Sequence, residues 1–300
     1  MSKAKITVIG AGLMGHGIAQ VFAAAGHDVT ITDSVKQSLD TAKTRIAANL
    51  RDLGDDEKAV DNVHVRADLA EAVRDADYVV EAVLEDLPLK QKLFAEIERH
   101  VRPDTILASN TSVIPITAIV QEVKQRERAL GTHWWNPPFL VPLVEVIETE
   151  WTSPEVVAWT MKLHEDAGKT PAHVKKDVPG FIGNRLQHAL WREAIFLVEE
   201  GICDAETVDT VVKASFGRRL PVLGPLENAD LIGTDLTLAI HQNVMPHVDS
   251  RPDASPYLAK LVGEKKLGFK SGEGFRAWSA EEQAALRKTL INHLKAMRGQ

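Results

Sequence analysis

The segment from Lys5 to Asp33 leaves few folds open to this chain. Lys5-Ile6-Thr7-Val8-Ile9 is apolar and β-branched, the composition of a central parallel strand. It runs into Gly10-Ala11-Gly12-Leu13-Met14-Gly15, a G-x-G-x-x-G turn. Ile18, Ala19, Val21, Phe22 and Ala25 then recur at helical spacing and Gly26 reads as a helix stop. Val29-Thr30-Ile31-Thr32 is a second strand, and it ends at Asp33. A strand, three glycines, a helix and an acid about 20 residues on form the pattern of a βαβ unit that receives a dinucleotide. Gly10 permits the tight turn, Gly12 lets the backbone approach a pyrophosphate, and Gly15 lets the helix lie against the strand. The unpaired N–H groups at the helix start attract the phosphates. The loop, Leu13 and Met14 included, is therefore expected to hold the cofactor, with Asp33 on the adenosine ribose. A carboxylate there repels a 2′-phosphate, and Ser34-Val35-Lys36 offers no arginine to receive one. NAD is expected over NADP.

The rest of the first half alternates strand and helix, which implies an α/β domain with a mainly parallel sheet. A helix is expected from Ser34 to Leu53, with further strands at Val63–Val65, Tyr78–Val83, Thr105–Ser109, Ala129–Thr132, Leu143–Ile147 and Pro171–Val174. Helical runs at Leu89–His100, Ile114–Val123 and Glu155–Ala167 separate them. Pro179-Gly180 marks a change of character. Beyond it strand signals vanish, and helices are expected at Phe181–Glu200, Asp204–Ser215, Asp230–Val248 and Pro256–Glu264. Two domains are predicted, an α/β domain over 1–179 and an all-α domain over 180–300.

Composition removes several classes of function. A net charge of −7 leaves no basic face for nucleic acid. No apolar stretch is long enough to span a membrane, and the first residues read as a strand, not as a secretory leader. A single cysteine, Cys203, excludes an internal disulfide and a cysteine-only metal site, and suits the reducing cytoplasm; no metal is expected.

A nicotinamide-type domain implies hydride transfer, and an alcohol that gives up hydride needs a base for its proton. Histidine titrates nearest neutrality. His133 follows a buried strand in the second half of the sheet, where ligands gather at strand carboxyl ends. It opens the rigid, aromatic run His133-Trp134-Trp135-Asn136-Pro137-Pro138. It is either an acid–base group or a structural histidine in a tight turn. Glu145 interrupts the apolar strand Leu143–Ile147. Buried there, it needs a partner, and an imidazole serves; on an edge strand it would face water. Ser109-Asn110-Thr111-Ser112 places polar groups at the same sheet edge, or simply caps the next helix. Asn184 stands at the domain junction, in a cleft or exposed on a helix. Trp134 and Trp135 are expected to wall a pocket, and Trp151, Trp159, Trp191 and Trp278 to be core.

In these segments the chain resembles the 3-hydroxyacyl-CoA dehydrogenase family over nearly its whole length. The matching stretches are the glycine loop, Val80–Glu85, Ala108–Ser112, His133–Pro137, Leu143–Ile147, Asp177–Arg185, Gly224–Glu227 and Leu267–Phe275. The resemblance implies a Rossmann-like domain followed by a helical domain that dimerises, a place in fatty acid metabolism, and a small-molecule substrate. It implies that His133 is the acid/base and Glu145 its partner, with Ser112 and Asn184 at the substrate oxygen. Glu85, Lys90 and Asn136 would help hold NAD. Three departures bear on the substrate. Trp134-Trp135 stands where the family carries two phenylalanines. The arm from Lys43 to Val65 is short and acidic where acyl-CoA members carry basic residues, although Lys43 and Arg45 remain. Arg218 and Arg219 precede Gly224-Pro225, as a similar arginine does in relatives resembling carnitine or gulonate dehydrogenases; an arginine fork suits a carboxylate, or the two are solvated or salt-bridged at a helix end. The substrate is thus expected to be a 3-hydroxyacyl-CoA or a compact free hydroxy acid, aromatic or aliphatic. The rival outside enzymology is an NAD-binding structural protein of the crystallin type, against which the His133–Glu145 pair speaks.

Overall fold

In a computed structural model, which describes residues 3–298, the chain divides into two compact units: residues up to Asn184 together with those from Asn292 on, and Arg185–Ile291. The first is built on one eight-stranded sheet. Its strands are β1 (Lys5–Ile9), β2 (Asp28–Thr32), β3 (Val63–Val65), β4 (Tyr78–Glu81), β5 (Ile106–Ser109), β6 (Ala129–Trp134), β7 (Leu143–Ile147) and β8 (Thr170–Val174). Their spatial order is β3-β2-β1-β4-β5-β6-β7-β8. Every neighbouring pair is parallel except β6–β7, which is antiparallel. The order reverses between β1 and β4, and the carboxyl ends at such a reversal are where doubly wound sheets bind ligands.

Helices cover both faces, as a parallel sheet requires. In chain order the first unit carries α1 (Leu13–Ala24), α2 (Lys36–Asp40), α3 (Ala42–Leu53), α4 (Leu69–Val73), α5 (Leu87–Glu98), α6 (Ile116–Ile119) and α7 (Pro154–Asp166). One core packs Phe22 of α1, Ile46 of α3 and Leu163 of α7 with Val8, Val80 and Trp134 of the sheet. The other packs Phe94 and Ile97 of α5 and Ile116 of α6 with Val79, Leu107 and Ile147. The expected helix Ser34–Leu53 is two helices broken at Thr41. Its hydroxyl donates to the Gln37 carbonyl at 2.9 Å, the local competition that makes threonine a weak helix residue.

The second unit is helical: α8 (Gly183–Glu199, which begins in the first unit), α9 (Ala205–Ala214), α10 (Pro225–Ile232), α11 (Thr234–Val244), α12 (Pro256–Gly263) and α13 (Ala280–Ala296, whose end returns to the first). The expected helix Asp230–Val248 is instead two, parted at Gly233, whose φ of 96° no helix accommodates. The return of α13 has a consequence within the first unit. Lys295 pairs with Asp52 at 2.7 Å and Arg298 with Asp55 at 2.6 Å, so the acidic end of the arm meets cations of the chain itself.

Folding buries one histidine completely. His164 on α7 sits among Phe22, Tyr78 and Trp134, with ring centroids 5.6, 6.1 and 5.2 Å away. Its Nδ1 donates to the Thr160 carbonyl at 2.7 Å, and its Nε2 has no partner among the described residues. Burial first, and the charge of Lys169 to a lesser degree, push its pKa down to about 4 against the bond to Thr160. The unfolded chain takes up a proton near pH 6.5 that the folded chain refuses until about pH 4. This contribution to stability is therefore complete above pH 6.5 and falls by about 3 kcal/mol as the pH drops toward 4. Urea unfolding should show the decline, and His164→Leu should flatten it; an unchanged slope in the variant would place the acid sensitivity elsewhere.

Candidate active site

The glycine loop is shaped by contacts that tolerate no side chain. Gly10 has a φ of 100°, and a Cβ on it would lie 2.5 Å from the Ala82 carbonyl oxygen. A Cβ on Gly15 would lie 1.7 Å from the carbonyl oxygen of Gly10, so α1 passes directly under the loop. Gly12 differs, because nothing lies within 4 Å of its Cβ position. It is the N-cap of α1 and no side chain caps it, which leaves the first N–H groups unclaimed beneath open space. Leu13 is exposed and Met14 half-buried at the helix start. Asp33 ties the end of β2 to the loop, accepting from Ala11 N at 2.6 Å and Val35 N at 2.7 Å. An uncapped helix start, an open glycine and a carboxylate at the next strand end fit an NAD pyrophosphate and ribose.

Arg45 of α3 braces the loop from below. It donates to the carbonyls of Ala11 at 2.5 Å and Ser38 at 2.8 Å, while His16 Nδ1 donates to Gly12 O at 2.7 Å. Burial, with the nearby Arg45 charge, lowers the His16 pKa despite that bond, so a neutral ring sits behind the loop. Arg45 is thus a structural part of the loop, not a free cation of the arm.

Beside the reversal lies a buried charge cluster. Glu81, at the end of β4, accepts from Lys90 Nζ at 2.6 Å and from Ser109 Oγ at 2.6 Å. Lys90 is fully enclosed and also lies 3.4 Å from Glu85. The ammonium of Lys90 thus holds Glu81 and Glu85. Glu85 in turn accepts from Thr111 Oγ1 at 2.5 Å, Ser112 N at 2.8 Å and Val113 N at 3.2 Å. Burial alone would raise its pKa, but these bonds and Lys90 hold it below the usual carboxylate range. The Ser112 turn is thereby fixed, with Ser112 itself exposed.

His133 and Glu145 are cross-strand partners in the antiparallel pair β6–β7, so both side chains rise on one face. Both are buried, and His133 Nδ1 lies 2.7 Å from Glu145 Oε2. Glu145 Oε1 accepts from the backbone N–H groups of Ile182 at 2.8 Å and Gly183 at 3.0 Å. Burial pushes the Glu145 pKa up, but the His133 bond and the two N–H groups outweigh it and leave it lowered. An ionised carboxylate only accepts, so Nδ1 carries a proton, and in the neutral ring Nε2 keeps its lone pair. Asn184 Nδ2 donates to the Ser112 carbonyl at 2.9 Å, which brings those two candidates together at the same sheet end.

Several tryptophans fall differently from expectation. Trp134 is 2% exposed and packs edge-on against Phe22, 5.5 Å between centroids. It cannot wall a pocket, because strand alternation sends it to the face opposite His133. Trp135 does reach the site, 5.4 Å from the His133 ring. Of those expected in the core, Trp159 and Trp151 are half-buried and pack against the two cores as expected, whereas Trp278 is half-buried and Trp191 is 47% exposed. Asn136 is exposed in the loop after Trp135. Arg218 and Arg219 belong to the helical unit, exposed and without an ion pair to a described residue. Among the described residues no His, Cys, Asp and Glu side chains cluster in a way that could hold a metal, and no helix is long and apolar enough to cross a membrane.

Comparison with known proteins gives a consistent result. Residues 5–178 match the model of the 3-hydroxyacyl-CoA dehydrogenase NAD binding domain, and residues 180–278 that of the 3-hydroxyacyl-CoA dehydrogenase C-terminal domain. A probable 3-hydroxybutyryl-CoA dehydrogenase of Deinococcus radiodurans is 41% identical over 282 residues, 90% of this chain and 99% of the relative. A 5-formyl-3-hydroxy-2-methylpyridine 4-carboxylate 5-dehydrogenase of Mesorhizobium japonicum is 36% identical over 98% of this chain and 96% of its own. A crystal structure of an enzyme so described, an NAD+ dependent dismutase, superposes with a TM-score of 0.91 at 35% identity, over 99% of this chain and 97% of that one.

Proposed function

The chain belongs to the 3-hydroxyacyl-CoA dehydrogenase family and is an NAD-dependent dehydrogenase acting on a CH–OH group. From that premise we propose that it interconverts an L-3-hydroxyacyl substrate and its 3-oxo product through the His133–Glu145 pair. The observation that carries this reading is the Glu145 carboxylate seated on two N–H groups and bonded to His133 Nδ1. Nε2 is thereby left as the basic nitrogen for the substrate hydroxyl, and Glu145 stabilises the imidazolium that follows. Ser112 and Asn184 hold the substrate oxygen. NAD supplies the hydride acceptor when bound; Gly10, Gly12, Leu13, Met14 and Gly15 receive it with Asp33, Glu85 and Asn136, while Lys90 acts through Glu85. Trp135 screens the pair from water.

We place the functional boundary between residues 179 and 180 and the protein in the cytoplasm, the latter supported by its lone thiol. A compact free acid is the second reading. It is favoured by Arg45 being engaged under the loop and by a relative whose name specifies a pyridine carboxylate. NADH oxidation with acetoacetyl-CoA, run beside small free 3-oxo acids, decides between them. Turnover of the thioester supports the first reading. Activity on free acids alone supports the second and makes Arg218 and Arg219 the next residues to replace. Activity on neither overturns both.

We also propose a homodimer joined through the helical unit. Helices α9, α10, α11 and α13 contain no buried residue, and Leu226, Leu231 and Leu238 are each at least 60% exposed. Apolar surface on that scale calls for a partner. Light scattering should give the mass of two chains, and Leu231→Glu should weaken the pair. A single-chain mass for the unmodified protein would rule the dimer out.

A further inference from the structure

We infer that Phe181 is a positioning residue for the His133–Glu145 pair, and that the turn it occupies is a receptor built for the Glu145 carboxylate. This rests on the reading of His133 as the proton carrier. The turn closes through Phe181 N donating to Val178 O at 3.1 Å. Gly180 and Phe181 are successive left-handed residues, with φ of 76° and 49°. For glycine that is free; for a bulky side chain it is strained, and it persists only where the surroundings impose it. The strain delivers the next two N–H groups, of Ile182 and Gly183, onto Glu145 Oε1. Successive N–H groups after left-handed residues form an anion seat, and the start of α8 at Gly183 adds a dipole of the favourable sign. The Phe181 ring acts on the other member of the pair. It is 1% exposed and lies 5.6 Å from the His133 ring, so with Trp135 it encloses the imidazole in aromatic surface. One residue thus aims the carboxylate with its backbone and shields the histidine with its side chain. Of the ionisable groups on neighbouring elements, Glu145 alone bonds to the imidazole; Glu85 is engaged by the Ser112 turn and Asp177 by Thr117.

Two substitutions at Phe181 separate backbone from bulk. Valine fills more of the vacated space than glycine, so stability should favour Phe181→Val. A β-branched residue cannot hold the left-handed turn, however, whereas glycine holds it without strain. The readout is the 15N-histidine NMR spectrum of the intact protein, which needs no substrate, with His133→Gln identifying the His133 signals. The wild-type chain and Phe181→Gly should display His133 protonated on Nδ1, and Phe181→Val should shift it toward the Nε2-protonated form, against the order of stability. Gly180→Ala keeps the Phe181 side chain and strains the turn at its left-handed φ of 76°; it should move the tautomer the same way, and it decides the matter if the Phe181 variants fail to fold. A wild-type His133 signal in both Phe181→Val and Gly180→Ala overturns the inference. Full activity in His133→Gln would instead overturn the proton-transfer reading and leave the tautomer result standing, so the two failures are distinguishable.

Discussion

His133→Gln is expected to lower kcat by about two to four orders of magnitude, the usual effect of losing a general acid–base group. NADH affinity should stay within about twofold, because the glycine loop, Asp33 and Arg45 form a separate set of contacts at the ends of β1 and β2. Glutamine keeps a donor for Glu145, so the carboxylate is not left buried and unpaired, and the fold should survive. Glu145→Gln should cost about as much activity as His133→Gln: its single amide oxygen is claimed by the Ile182 and Gly183 N–H groups, so its NH2 faces Nδ1, favours the wrong tautomer and leaves the imidazolium without a countercharge. Steady-state kinetics on the substrate found in the acetoacetyl-CoA and 3-oxo acid assays, beside NADH titration by fluorescence, checks both. Retained turnover in His133→Gln would remove His133 from the chemistry.

Two glycines three residues apart should fail in different ways. Gly15→Ala forces a methyl group into the Gly10 carbonyl, a contact with backbone that no rotamer relieves. It should destabilise the protein by at least about 2 kcal/mol and abolish measurable NADH binding. Gly12→Ala meets no atom within 4 Å and has an ordinary φ of −70°, so it should cost stability no more than the roughly 1 kcal/mol that alanine loses at an N-cap. Its methyl group nevertheless occupies the space assigned to the pyrophosphate, and NADH affinity should fall at least about tenfold. Thermal unfolding and NADH titration on both variants test this. Wild-type affinity in Gly12→Ala would mean that the open side of the loop does not face the cofactor.

Much of the sheet could be read from the chain because buried parallel strands announce themselves as short β-branched runs. Val63–Val65 and Leu143–Ile147 match their strands residue for residue. Helix ends were less legible, since they depend on single local contacts such as the Thr41 hydroxyl and the Gly233 backbone. Helix α13 went unread although its signal was present: Ser279 and Glu282 form a reciprocal capping box, with bonds of 2.7 and 3.1 Å. At the site, the apolar context of Glu145 disclosed a carboxylate in need of a partner, and the polar run before Ser112 disclosed the turn. The backbone N–H groups of Ile182 and Gly183 could not be read from side chains at all. Nor could the orientation of Trp134, which depends on which face of β6 carries His133. Arg45 was visible as a cation, but its engagement with Ala11 and Ser38 depends on the packing of α3 against the loop.

The pairing of His133 with Glu145 is written into strand register. A slip of one residue along β7 would set a valine opposite the histidine and turn the glutamate to the other side. The connection between the two strands, residues 135–142, is bound in only part of its length: Trp135 lies against the His133 ring, and Pro138 and Phe139 face Gly17 of α1. Point substitutions between those anchors leave the register, and with it the proton-handling pair, in place while altering what lies in front of it.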